Sequence, residues 1–261
     1  MSTPPQRPSF PARIDLGQSA RPVSRPAPRV VVQPAAAAPA GSMARDPVPA
    51  RARMVRLLAA EGISDARVLR AMGTVDRHRF VDSALVPQAY EDTALPIGLG
   101  QTISKPSVVA RMTELLMQGG LRGPDGKLGR VLDIGTGCGY QAVVLAQLAS
   151  EVYSIERLRD LHEKARSNLR PLRIANVHLI LGDGMAGFAR GAPYAGIIAA
   201  AGGEAVPEAW IEQLAVGGRI VAPVATGAGQ QALVVIDKSR QGVQRAVLEA
   251  VNFVPLKSGV A

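Results

Sequence analysis

The sequence predicts an α/β fold: a doubly wound, mostly parallel sheet with an N-terminal helical extension and an antiparallel hairpin at its C-terminal edge. Three observations carry this. From Arg130 onward, short apolar runs of strand length alternate with helix-compatible segments, the pattern of a parallel sheet. The first run leads into a glycine-rich turn and then a helix, Val131-Leu-Asp-Ile-Gly-Thr-Gly-Cys-Gly-Tyr140. After Gln231, two apolar runs follow one another with no helix between them.

Residues 1–53 hold 11 of the 20 prolines and show no helical or strand periodicity, so they read as a disordered Pro/Ala/Arg-rich tail. Val30-Val31-Val32 behind Arg21, Arg25 and Arg29 is too short and too proline-broken for a secretion signal, and a start at Met43 or Met54 is an alternative. Order is expected from Met54. Val55, Leu57 and Leu58, then Val68, Leu69 and Met72, predict two short helices, the second capped by Ser64. A loop-rich stretch follows, and Val108, Val109, Met112, Leu115 and Leu116 predict a helix over 105–117, with Ser104 placed to cap it. The expected strands are 130–134, 152–155, 177–181, 196–200, 220–224 and 233–236, with helical segments at 141–149, 158–169 and 207–214. Residues 54–129 thus form a helical and loop region, and 130–261 a ligand-binding sheet.

Composition excludes several classes. No run approaches the roughly 20 apolar residues of a membrane helix. One cysteine, Cys138, excludes an internal disulfide framework, and three scattered histidines give no zinc signature, so no metal is expected. The net charge of +9 invites a nucleic-acid partner. Yet residues 1–53 carry eight arginines against Asp15 and Asp46, while the other 208 residues hold 22 basic and 19 acidic groups. The excess sits on the tail, and with four Tyr, four Phe and Trp210 a base-stacking platform is not expected.

The glycine loop is the sharpest motif. Glycines let backbone approach a ligand, and the helix that follows offers free N–H groups. Glu156 ends the next strand, 21 residues after Gly135, where a carboxylate can accept both ribose hydroxyls of a nucleotide. Counted from Gly137, the residues Gly137, Gly139 and Ala142 formally satisfy a dinucleotide fingerprint; counted from Gly135 the match fails at Tyr140. An acidic residue within the strand, Asp133, followed by G-x-G-x-G is instead the pattern of S-adenosylmethionine-dependent methyltransferases. Asp133, Gly135, Thr136, Gly137, Gly139 and Glu156 are therefore the candidate cofactor contacts, joined by Asp183 and Gly184 after the third strand. Asp183 fits a turn cap equally well. Cys138 reads as a small packing residue, Trp210 as core, and the three histidines as surface or loop residues.

Phe80-Val-Asp82, Ala94 to Pro106, Ala110-Arg-Met-Thr-Glu-Leu-Leu116, Asp133 to Tyr140, Tyr153-Ser-Ile-Glu-Arg157, Gly182-Asp-Gly184 and Phe253-Val-Pro-Leu256 resemble the bacterial protein-L-isoaspartate O-methyltransferases. The resemblance spans 54–261, and its specific part is Gly100-Gln-Thr-Ile-Ser-Lys-Pro106. It implies a Rossmann-like class I methyltransferase with an altered order of the last strands, S-adenosyl-L-methionine as cofactor, and isoaspartyl proteins and peptides as partners. The activity implied is methylation of the free α-carboxylate at an isoaspartyl linkage; the ester cyclises to a succinimide, whose hydrolysis restores part of the normal aspartate. The catalytic serine corresponds to Ser104, and Thr102, Ile103, Ala200 and Ala201 are the substrate contacts expected. The sequence departs from the family at Cys138, where many members have Ser, and at Ala199-Ala-Ala-Gly-Gly-Glu204, which bears on peptide preference.

The acceptor carboxylate is ionised at neutral pH, so the reaction needs no general base. The protein's task is to hold oxygen and methyl about 3 to 3.5 Å apart with water excluded. A cytoplasmic monomer is expected, with neither membrane nor nucleic acid as partner. Two other readings stay open from sequence: a methyltransferase of this fold acting on a small molecule or RNA, and a non-catalytic protein that kept the fold.

Overall fold

The computed structural model describes residues 47–261 apart from Gly120 and Ala228, and the expected tail up to residue 46 lies outside the described residues. Along the chain run α1 (Pro47–Ala60), α2 (Ala66–Thr74), two 3-10 turns (Arg77–Phe80 and Ser83–Gln88), β1 (Leu95–Gly98), β2 (Gln101–Ile103) and α3 (Pro106–Gln118). Then follow β3 (Leu128–Ile134), α4 (Tyr140–Ala146), β4 (Ala149–Glu156), α5 (Arg159–Leu169), β5 (Val177–Leu181) and β6 (Tyr194–Ala199). The chain closes with α6 (Glu208–Gln213), β7 (Leu214–Gly227), β8 (Gln230–Ser239) and β9 (Gly242–Val251).

β1 and β2 form a small antiparallel hairpin of their own. The other seven strands make one sheet in the order β5-β4-β3-β6-β7-β8-β9. β5 through β7 are parallel neighbours, whereas β8 and β9 run antiparallel at the edge. Helical crossovers (3-10 turns alone between β5 and β6) return the chain to the same end for each parallel strand, and the β8–β9 hairpin needs none. The order reverses between β3 and β6, and such a switch point opens a crevice at the C-terminal strand ends.

Side chains alternate across the sheet with the strand period of two. Val131, Val152, Ile198, Val221 and Val235 pack with α1–α4 in one cluster. Their neighbours Leu132, Ile197, Ile220 and Val234 join Trp210 of α6 in the other. α3 lies so close to β6 that a Cβ on Gly196 would meet Leu116 Cδ1 at 2.9 Å. This approach explains why α3 is buried almost all round, Thr113 and Glu114 included.

The structure corrects several boundaries and caps. α1 begins at Pro47, taking in residues 47–53 that composition assigns to the tail. Pro47 and Pro49 sit in its first turn, where no N–H is needed, and Met54 and Leu58 bury its inner face. Asp65, not Ser64, caps α2 by accepting from the Arg67 N–H at 2.8 Å. Ser64 instead turns its N–H and hydroxyl to the buried Glu114 carboxylate, at 2.7 and 3.1 Å. Ser104 does not cap α3: Lys105 is the N-cap residue, and the Ser107 N–H is taken by Asp92 at 2.8 Å. α4 stops at Ala146, short of the expected Ala149, because a tight turn over Gln147 and Leu148 leads into β4 at Ala149. His162, expected at the surface, is buried on the inner side of α5.

Candidate active site

β3 delivers Asp133 and the glycine loop to the crevice. Gly135 N–H donates to the Ile155 carbonyl at 2.9 Å, tying the loop to β4. Gly139 closes the loop with φ +92°, and a Cβ there would stand 2.5 Å from Leu169 Cδ1, so only glycine fits. Asp133 is fully buried beneath the loop, accepting from Gln141 Nε2 at 2.8 Å and Ser154 Oγ at 2.6 Å. Thr136 Oγ1 extends this network to Ser154 at 2.7 Å. Burial raises the Asp133 carboxyl to about 6 against the pull of those two hydrogen bonds.

Glu156 ends β4 and faces the crevice. One carboxylate oxygen accepts from the Gly137 N–H and the other from the Leu158 N–H, both at 2.9 Å. Each oxygen keeps a lone pair for a ligand, a geometry matched to a vicinal diol. Around it lies a cavity of about 270 Å³. Gly135, Gly137, Ile155 and Leu158 form one wall, and the β1–β2 hairpin (Ile97, Leu99, Gln101, Thr102) faces them. Ala200, Ala201 and the C-terminal strap Val254–Lys257 close the sides. Bare glycine backbone, a pre-held carboxylate and apolar Ile155, Leu158 and Leu256 together fit S-adenosylmethionine: polar contacts for its ribose and methionyl parts, an apolar slot for its adenine.

Seven of the sequence candidates line this cavity: Gly135, Gly137, Glu156, Gly184, Thr102, Ala200 and Ala201. Asp133, Thr136 and Gly139 lie outside it and support the loop. Asp183 is likewise outside, with one oxygen on the Met185 N–H at 2.8 Å and the other on the Gly259 N–H at 2.7 Å. It caps a turn and anchors the strap. Ile103, buried in β2, and Ser104, half-buried just past its end, are also outside the cavity lining. Sequence reasoning missed the strap and Lys164, which holds the hairpin by donating to the Ile97 carbonyl at 2.8 Å. It also missed Arg77, wholly buried, with Nη2 on the Ser104 carbonyl at 2.7 Å. Only the Phe253-Val-Pro-Leu256 match hinted at the strap.

Among the described residues Glu156 is the one acidic side chain lining the cavity, and Arg157 and Lys257 line it too. Cys138 is buried, and burial pushes its thiol up, away from the reactive thiolate. Burial moves His162 in the opposite direction. Neither residue lines the cavity.

A parallel sheet with an antiparallel edge, whose first strand carries buried Asp133 into a G-x-G-x-G loop and whose second ends in Glu156, is the arrangement of a class I methyltransferase that uses S-adenosylmethionine. Residues 50–261 match the family model described as Protein-L-isoaspartate(D-aspartate) O-methyltransferase. The protein-L-isoaspartate O-methyltransferase of Methylibium petroleiphilum is 56% identical, with 97% of this chain and 96% of that protein covered. That of Leptothrix cholodnii is 60% identical over 81% of this chain and 74% of its own length. Among solved structures, a protein-L-isoaspartate O-methyltransferase superposes with a TM-score of 0.71 at 28% identity, covering 80% of this chain and 67% of that one. A putative one from Plasmodium falciparum, in complex with S-adenosyl-L-homocysteine, gives 0.67 at 25% identity over 79% and 98%. The chain belongs to the protein-L-isoaspartate(D-aspartate) O-methyltransferase family. It is a carboxyl O-methyltransferase of isoaspartyl residues, acting in protein repair.

Proposed function

We propose that the two walls of the cavity divide the reaction between them. On the sheet side Glu156 holds the ribose hydroxyls, Gly135 and Gly137 bring backbone against the methionyl end, and Gly184 and Leu256 flank the adenine. Asp133, Thr136, Gly139 and Asp183 act from outside, keeping these groups in place. When bound, S-adenosylmethionine supplies an electrophilic methyl group on a sulfonium centre. Thr102 on the hairpin, with Ala200 and Ala201 at the side, receives the isoaspartyl segment, and buried Ile103 anchors the strand beneath it. Ser104 donates its hydroxyl hydrogen to one oxygen of the α-carboxylate and leaves the other free to attack. The carboxylate arrives ionised, so no side chain need take its proton. Arg157 and Lys257 favour its approach.

The single observation that carries this reading is the cavity itself. It joins the glycine loop and Glu156 to Gln101 and Thr102 of β2, the strand that ends one residue before Ser104. The working unit proposed is a monomer. Damaged proteins and peptides, rather than nucleic acid, are the substrates, since the excess positive charge lies on residues 1–53. The compartment proposed is the cytoplasm: the only cysteine is buried and free, so folding requires no oxidising surroundings. No described helix is long and apolar enough to cross a membrane.

Labelled S-adenosylmethionine offered with two peptides that differ only in isoaspartyl or aspartyl linkage tests the reading. Base-labile label on the isoaspartyl peptide alone is expected. Equal labelling of both, or of neither while the cofactor binds, overturns the substrate assignment.

A further inference from the structure

Arg77 stands in the first 3-10 turn and is fully buried. No carboxylate lies within ion-pair distance of it among the described residues. Its donors reach three backbone carbonyls in two segments instead, the loop before β1 and the residue after β2. Nε donates to Ala89 at 2.8 Å, and Nη2 to Ser104 at 2.7 Å and, more weakly, to Thr93 at 3.5 Å. The guanidinium carbon also lies 4.9 Å from the centroid of the Tyr140 ring. Tyr140 is the first residue of α4, directly after Gly139, and is itself buried against Phe80, centroid to centroid at 5.5 Å. Nη1 is buried without a hydrogen-bond partner.

Burying a cation without a counter-charge is costly, and an apolar side chain of similar size would fill the space more cheaply. What arginine adds is a rigid planar fork that addresses several acceptors at once while presenting a face to an aromatic ring. Here the fork spans the segment that carries Ser104 and the element that carries the glycine loop. We propose that Arg77 is a positioning residue, setting the distance between Ser104 on the acceptor wall and the glycine loop on the donor wall. The inference rests on the role given to Ser104 above. Burial also disfavours the charged guanidinium, so the arginine is retained against a local penalty.

Such a residue acts on turnover more than on cofactor binding, because a misplacement of about 1 Å between reacting groups costs on the order of 100-fold in rate. The test is a cycle of Arg77→Lys, Ser104→Ala and the double variant, measuring kcat and KM for an isoaspartyl peptide and the Kd of S-adenosylmethionine. Arg77→Lys is expected to lower kcat by about 10- to 100-fold, with the cofactor Kd moved less than about threefold. The double variant is expected to be no slower than Ser104→Ala alone, as for two groups that act as a unit. Replacing a purely structural arginine would lower kcat and raise the cofactor Kd together, and the effect would multiply with that of Ser104→Ala; either result overturns the inference. Full activity in Ser104→Ala would overturn the serine's role as well, a separate outcome. If Arg77→Lys does not fold, Arg77→Gln, which removes the buried charge and keeps an N–H donor, carries the same cycle.

Discussion

Glu156 and Asp133 are two carboxylates at neighbouring strand ends with opposite assignments. Glu156 has both oxygens held by backbone N–H groups and still faces the cavity. Glu156→Ala removes charge-assisted contacts that contribute roughly 1.5–3 kcal/mol each, so the Kd of S-adenosylmethionine is expected to rise at least about tenfold by calorimetric titration. An unchanged Kd removes the ribose assignment. Asp133 is sealed from solvent, and its carboxyl rises to about 6 from an ordinary 3.8. Between those values the folded state holds a proton that the unfolded chain has released, so this group's contribution falls as pH rises from about 4 to 6. At pH 7 the ionised form then costs on the order of 2–3 kcal/mol. Asn fits the site, because the Ser154–Thr136 chain can reverse its donors. Asp133→Asn is therefore expected to unfold at higher urea than the parent at pH 7, with the gap closing towards pH 4. A gap independent of pH would show that the charge is not what the site resists.

At the level of elements, the β1–β2 hairpin is a part built under strain. Leu99 and Gly100 form its two-residue turn with φ of +53° and +68°, a conformation that suits Asn or Gly at the first position. A leucine there is 56% exposed and lines the cavity. Backbone strain retained at a site wall is the signature of a functional position. Leu99→Gly is expected to raise stability by roughly 0.5–1 kcal/mol while raising KM for the isoaspartyl peptide. A lower melting temperature with unchanged KM would make Leu99 a packing residue. The strap 254–257 is also an element with a function, and its hold runs through Asp183 and Arg157 to Gly259. Pattern reading finds strands and helices because their periodicity is local. It missed the strap, which has no regular structure and takes its place from contacts with distant residues.

For the whole molecule, the N-terminal helices are part of the fold rather than an appendage. α1 packs Met54 and Leu58 into the main core, and Arg51 pairs with Asp76 beside the turn that carries Arg77. A chain beginning at Met54 is expected to melt roughly 2–6 °C below one beginning at Pro47, the equivalent of about 1–2 kcal/mol. Equal melting temperatures would mean that the first two turns of α1 add nothing. The sequence alone determined the parallel sheet, the glycine loop, Glu156 at the end of the second strand and the family signature around Ser104, since each is a pattern of adjacent residues answering to local geometry. It did not determine the caps of α2 and α3, the distinction between cavity-lining and supporting residues, or the buried arginine beneath the serine. Those depend on Glu114 reaching Ser64, Asp92 reaching Ser107 and Arg77 reaching Ser104, partners 50, 15 and 27 residues apart. Only the folded chain decides such pairings, because a side chain's partner is set by which segments the core presses together.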